Sequence, residues 1–255
     1  MSEETIAKRI YQVRSTALSG MVRYVRGLND YLADKESEFD AFLAERHEEG
    51  GYGALSKIHT GFVRDRVTCA IADNLSAYFA NLLRIVFRSY PKQMLSRLER
   101  GAEEGDGYDP SDLRIPLRSI LEYEDLGHLL TGIAEERVYR LTYRSLNELD
   151  SYFRKNFSLA LSTDEVDLAV AKRLISTRNA LVHNPGFEPE RLRKPRQKKA
   201  WFLEDEVLSL DQSYPCFPGA GGWDQDIWDY VDSCDRIVED LDGRAVEKFG
   251  IATTG

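Results

Sequence analysis

Ser162-Thr-Asp-Glu-Val-Asp-Leu-Ala-Val-Ala-Lys-Arg-Leu-Ile-Ser-Thr-Arg-Asn-Ala-Leu-Val-His-Asn-Pro-Gly186 carries two helix ends and a periodic repeat between them. Ser162-Thr163-Asp164-Glu165 has the spacing of a capping box, in which a serine oxygen and a glutamate satisfy backbone N–H groups reciprocally. Val166, Val170, Leu174 and Leu181 then recur at helical intervals and predict a buried stripe. Asn184 precedes Pro185 and is driven out of the α region, so the helix is predicted to stop at His183–Asn184.

The same period runs through the rest of the chain. Ile6, Ile10, Val13, Ala17, Met21, Leu28 and Leu32 predict a first helix with those residues as its apolar stripe. Three glycines in Gly50-Gly51-Tyr52-Gly53 break the pattern. Val63, Val67, Ile71, Leu75, Tyr78, Leu82 and Ile85 then mark a long second helix, with Pro91 set to kink or end it before Leu98. Arg100 to Pro116 reads as a surface loop rich in glycine, proline and acids. Leu117 to Phe157 reads as two or three shorter helices. Within it, Ser145-Leu146-Asn147-Glu148 is a second capping box that places Leu146, Leu149 and Phe153 on one face.

Beyond Gly186 the character changes. Arg191, Arg193, Lys194, Arg196, Lys198 and Lys199 put six positive charges into nine residues. Two short apolar runs, Trp201-Phe202-Leu203 and Val207 to Leu210, flank a polar turn and predict a small β-hairpin. The last helix follows the Pro/Gly-rich Tyr214 to Gly222 and carries Ile227, Tyr230, Cys234, Val238, Leu241, Ala245 and Phe249. With no internal repeat and no long linker, the expectation is an all-α helical bundle with a small β-hairpin insert near 200–210. It forms a single domain over residues 1–255, with its motif-bearing core at about 117–250.

Composition narrows the function. The chain has 255 residues and a formal net charge of −9, so any contact with nucleic acid has to be local. Cys69, Cys216 and Cys234 are odd in number and widely spaced, and the histidines at 47, 59, 128 and 183 complete no zinc spacing. No metal site and no cofactor are expected. The first fourteen residues are polar and mixed in charge, and no run approaches about 20 apolar residues, so no membrane span and a cytoplasmic location are expected.

Arg178, Asn179 and His183 stand together at the end of the predicted helix. Arg178-Asn179-Ala-Leu-Val-His183 resembles the R-x4-6-H signature of HEPN domains, where the residue after the arginine is commonly Asn, Asp or His. Its place late in a helical chain, followed by one more long helix, is similar to theirs. The resemblance covers roughly the second half of the chain. It implies a metal-independent endoribonuclease with catalytic Arg178, Asn179 and His183, acting as a homodimer and serving as a toxin or antiviral defence effector, with a regulatory protein partner in some such systems. HEPN toxins under nucleotidyltransferase control often extend the motif to H-x-Y; Pro185 stands at that position here, so tyrosine modification there is excluded.

The residue types suit that chemistry. RNA cleavage through the 2′-hydroxyl needs a base, a proton donor for the leaving oxygen and positive charge on the phosphorane. A histidine titrates near neutrality and an arginine forks two N–H groups onto phosphate. Asn179, one turn before His183, can orient the imidazole. Arg178 and His183 are about 140° apart around an ideal helix, so one copy makes an incomplete site unless the last turn unwinds. The basic run from Arg191 to Lys199 supplies a track for RNA phosphates, or a solvated loop that balances Glu204-Asp205-Glu206. The alternative class is a non-catalytic helical module that binds RNA or a protein through the same surface, with Arg178 paired to an acid of a neighbouring helix.

Overall fold

The computed structural model describes residues 4–45, 52–95, 125–142, 144–183 and 225–251. Among these residues there are seven α-helices and no strand. They are α1 (Ile6–Ala33), α2 (Glu36–Glu45), α3 (Tyr52–Ser89), α4 (Leu126–Thr142), α5 (Leu146–Phe157), α6 (Glu165–His183) and α7 (Gln225–Phe249). A 3-10 turn, Pro91–Leu95, follows α3. The all-α expectation therefore holds for the described chain. The predicted hairpin near 200–210, the loop at 100–116 and the basic run at 191–199 lie outside the described residues.

The helices start and stop where local chemistry dictates. α3 ends at Ser89, just ahead of Pro91, whose ring cannot continue it. α5 has the predicted capping box: Ser145 Oγ accepts from the Glu148 N–H, and the Ser145 N–H donates to Glu148 Oε2 at 3.0 Å. Its C-cap, Ser158, is left-handed at φ 47°, and the Leu159 N–H returns to the Phe153 carbonyl. α6 departs from expectation. Asp164, not Ser162, caps it: Asp164 Oδ1 accepts from the Val166 N–H at 2.7 Å, while Ser162 Oγ accepts from the Asp164 N–H. The helix therefore begins at Glu165, two residues later than the capping-box reading.

The described chain divides into two compact units whose boundaries fall inside α1, α3, α6 and α7. The first comprises Met1–Tyr11, Leu75–Leu168 and Arg236–Gly255. Its core is an aromatic cluster in which Phe157 meets Phe153, Tyr152, Phe249 and Phe87 edge-on, at 5.1 to 6.3 Å between ring centroids. The Tyr90 hydroxyl donates to the Phe249 carbonyl at 2.7 Å. Leu146, Leu149 and Phe153 are buried as predicted. Two acids are also fully or nearly enclosed. Asp242 accepts from the Thr5 N–H at 3.0 Å and from its hydroxyl. Asp167 takes a two-pronged contact from Arg236, with the shortest N···O at 2.6 Å. Buried carboxylates persist only with such partners.

The second unit comprises Gln12–Asn74 and Ala169–Asp235. Val67, Ile71, Ala171, Leu174, Ile227 and Tyr230 are among its buried residues. Two predicted stripes turn out differently. Val166 at the start of α6 is 70% exposed, and Leu168, Ala171 and Leu174 form the buried side, with Asp167 turned in toward Arg236. On α1 the predicted apolar stripe faces outward: Ile6, Ile10, Val13, Met21 and Leu28 are exposed, and Ala7, Tyr11, Ser15, Val22 and Val25 are buried. Polar contacts lie on the buried side of α1 as well. In the second unit, Ser15 Oγ donates to Asp235 at 3.0 Å. In the first, Lys8 Nζ reaches Glu239 at 2.7 Å.

Candidate functional site

Arg178 and Asn179 lie in the last turns of α6, and His183 is its final described residue. Helical geometry alone brings these three to one end of one helix. Arg178 is partly buried and points to α3. Its Nε and Nη2 each lie 3.1 Å from Asp73 Oδ1. Its Nη1 donates to Asn179 Oδ1 at 3.2 Å. The oxygen of Asn179 is thus given to the neighbouring guanidinium, whereas the sequence reading directed the Asn179 amide toward His183.

Asp73 belongs to a stripe of α3 that also holds Cys69 and Asp65, each one turn apart. Burial pushes the Cys69 thiol up; Asp73 and Asp65 add to the rise, and Arg178 and Arg66 oppose it. A thiol so placed is protonated at neutral pH and is not a nucleophile. Burial also raises Asp65, against the pull of Arg64 and Arg66. Arg64 is itself lowered by burial, while Asp65, Asp226 and Tyr230 hold it up. Exposed guanidinium groups lie over rings nearby: Arg66 sits 5.1 Å from the Phe62 centroid and Arg173 sits 5.3 Å from that of Tyr230.

The arrangement places a charged arginine with a fixed fork, a hydrogen-bonded amide and a histidine position within two turns of helix. It can receive an anion at Arg178 if Asp73 yields. Both partners of that ion pair are solvent-accessible, so its separation costs no more than about 1 kcal/mol. Asp73 was not singled out by sequence analysis, and no spacing rule would find it, because it stands 105 residues from Arg178. The six basic residues Arg191, Arg193, Lys194, Arg196, Lys198 and Lys199 fall outside the described residues. Among the described residues no group of His, Cys, Asp and Glu is arranged to hold a metal ion. Nor is any described helix long and apolar enough to cross a membrane. Comparison with known proteins returned no matching family model, no matching curated protein and no matching solved structure.

Proposed function

We propose that this protein is a HEPN-like, metal-independent endoribonuclease of the cytoplasm, in which His183 is the acid/base, Arg178 stabilises the phosphorane and Asn179 positions. The observation that carries the reading is the fixed guanidinium of Arg178, held by Asn179 and Asp73 five residues before His183. A 2′-hydroxyl is the natural nucleophile where only imidazole and guanidinium chemistry is at hand. Because Arg178 and His183 diverge around α6, two copies of the motif complete the site, and the working enzyme is a homodimer. A toxin or defence effector restrained by a regulatory protein fits such an activity, with the run Arg191 to Lys199 as its RNA track.

Chain mixing tests the composite site. Arg178→Ala and His183→Ala chains, each impaired alone, are expected to regain part of the wild-type cleavage when unfolded and refolded together. Mixed chains no more active than either alone would mean that the site is not shared between copies.

One observation favours a second reading. Arg178 is paired with Asp73, as a structural arginine would be, and a non-catalytic module that binds RNA or a protein through this face makes use of the same groups. That reading expects no cleavage by wild type and loss of binding on substitution of Arg178.

A further inference from the structure

Phe62, Arg66, Cys69 and Asp73 follow one another on α3 at steps of four, three and four residues. Such steps keep them on one narrow stripe of the helix, about 16 Å long. All four belong to the second unit, as do Arg178 and Asn179. One end of the stripe is the candidate site itself, because Arg178 closes on Asp73. Cys69, one turn away, feels the charges of both Arg178 and Arg66, which pull its thiol down against the effect of burial. The other end is Phe62, 48% exposed, with the Arg66 guanidinium 5.1 Å from its ring centroid.

A single exposed phenylalanine is ordinary. This one stands out by its company. Arg66 is exposed and makes no ion pair among the described residues. Its charge rests only on the ring, a weak hold at an exposed site, so a phosphate can claim it. Two acids lie beside the stripe, but Asp73 is engaged by Arg178 and Asp65 is partly buried on the flank. The order along the stripe is thus cation, neutral thiol, cation, ring.

Single-stranded nucleic acid matches that order. Its bases offer flat faces to rings, and its phosphates offer charge to guanidinium groups at successive positions along one strand. A duplex matches it poorly, because its base faces are already stacked on one another. An acidic peptide would meet the two cations and leave the ring without a flat partner. We propose that Phe62 and Arg66 form a platform for single-stranded RNA next to the scissile phosphate at Arg178, with a base stacked on Phe62 and a neighbouring phosphate held by Arg66. The placement beside a scissile phosphate rests on the nuclease reading. The platform extends that site along α3 by roughly two to four nucleotides, and it selects for unpaired RNA rather than for sequence, since every base has a face that can stack.

Fluorescence anisotropy of the full chain with a 2′-O-methyl oligouridylate of about ten nucleotides tests the platform. This probe has no free 2′-hydroxyl and cannot be cut by attack from its own ribose. Phe62→Leu is expected to weaken binding by at least about fivefold with an unchanged salt dependence, and Phe62→Trp to retain wild-type affinity. Arg66→Ala is expected to make the slope of log affinity against log salt shallower by about 0.7, the share of one phosphate contact on a single strand. Both positions are exposed, so the helical far-UV spectrum is expected to persist in all three variants. Undiminished affinity in Phe62→Leu, a loss in Phe62→Trp as large as that in Phe62→Leu, or an unchanged slope in Arg66→Ala would each overturn the proposal. So would a wild type that does not bind the probe, or one that binds a poly-glutamate peptide more tightly through the same two residues. Cleavage of ordinary RNA is a separate readout. Binding through Phe62 and Arg66 without any cleavage would retire the nuclease assignment and leave the platform standing; cleavage by a chain whose binding ignores both substitutions would do the reverse.

Discussion

Asp73 decides how Arg178 behaves. An arginine with an acid 3.1 Å away must share its charge before it can grip a phosphate. Replacing the acid by its amide keeps the shape and removes the competition. Asp73→Asn is therefore expected to lower the KM for RNA by about two- to five-fold, the equivalent of one exposed ion pair. Steady-state cleavage measures this, and an unchanged or raised KM would show that the pair serves to position Arg178 rather than to restrain it. Asp65, two turns earlier on α3, gives a stability prediction. Burial holds its pKa above the ordinary carboxylate value, so its ionised form destabilises the folded state. That cost is fully present at neutral pH and vanishes once pH falls below the unfolded value, about 3.9. Asp65→Asn is expected to raise Tm at pH 7 and to lose the advantage near pH 3.5. A Tm gain that persists in acid would refute burial as the cause.

At the scale of single elements, sequence reading succeeded where one force dominates. The long apolar run of α3 and the stripe of α7 from Ile227 to Phe249 have one hydrophobic face, and those faces are the buried ones. The Ser145–Glu148 cap was legible because both of its partners lie within four residues. α1 was legible as a helix but not in its orientation. Its apolar residues form one broad arc, and the half with Ala7, Tyr11, Val22 and Val25 is the buried one, on the side where Ser15 and Lys8 meet Asp235 and Glu239, more than 200 residues away. The motif Arg178-Asn179-His183 was visible for the same reason as the cap, being local. Its counterion was not visible, because it arrives from another helix. Ser158 is a case where local chemistry is not optimal. A serine at φ 47° carries a Cβ penalty that glycine lacks. Ser158→Gly is expected to stabilise the protein by about 0.5–1 kcal/mol, read from denaturant unfolding. Destabilisation would mean that the serine hydroxyl contributes more than the backbone strain costs.

For the molecule as a whole, a net charge of −9 sets the terms on which RNA can be met. On the proposed function, RNA meets this acidic chain at the basic run from Arg191 to Lys199 and at Arg178, whose charge is shared with Asp73. The proposed chemistry rests on groups that need no metal. Incubation of single-stranded RNA with the purified chain in excess EDTA, with mapping of the product ends, addresses this directly. The nuclease assignment predicts fragments that end in a 2′,3′-cyclic phosphate and begin with a 5′-hydroxyl. It also predicts a loss of about 10²–10⁴-fold in His183→Ala, with the helical far-UV spectrum unchanged, and strong impairment in Arg178→Lys, whose ammonium cannot reproduce the planar fork. RNA left intact by the wild type, or cut equally well by both variants, would contradict it.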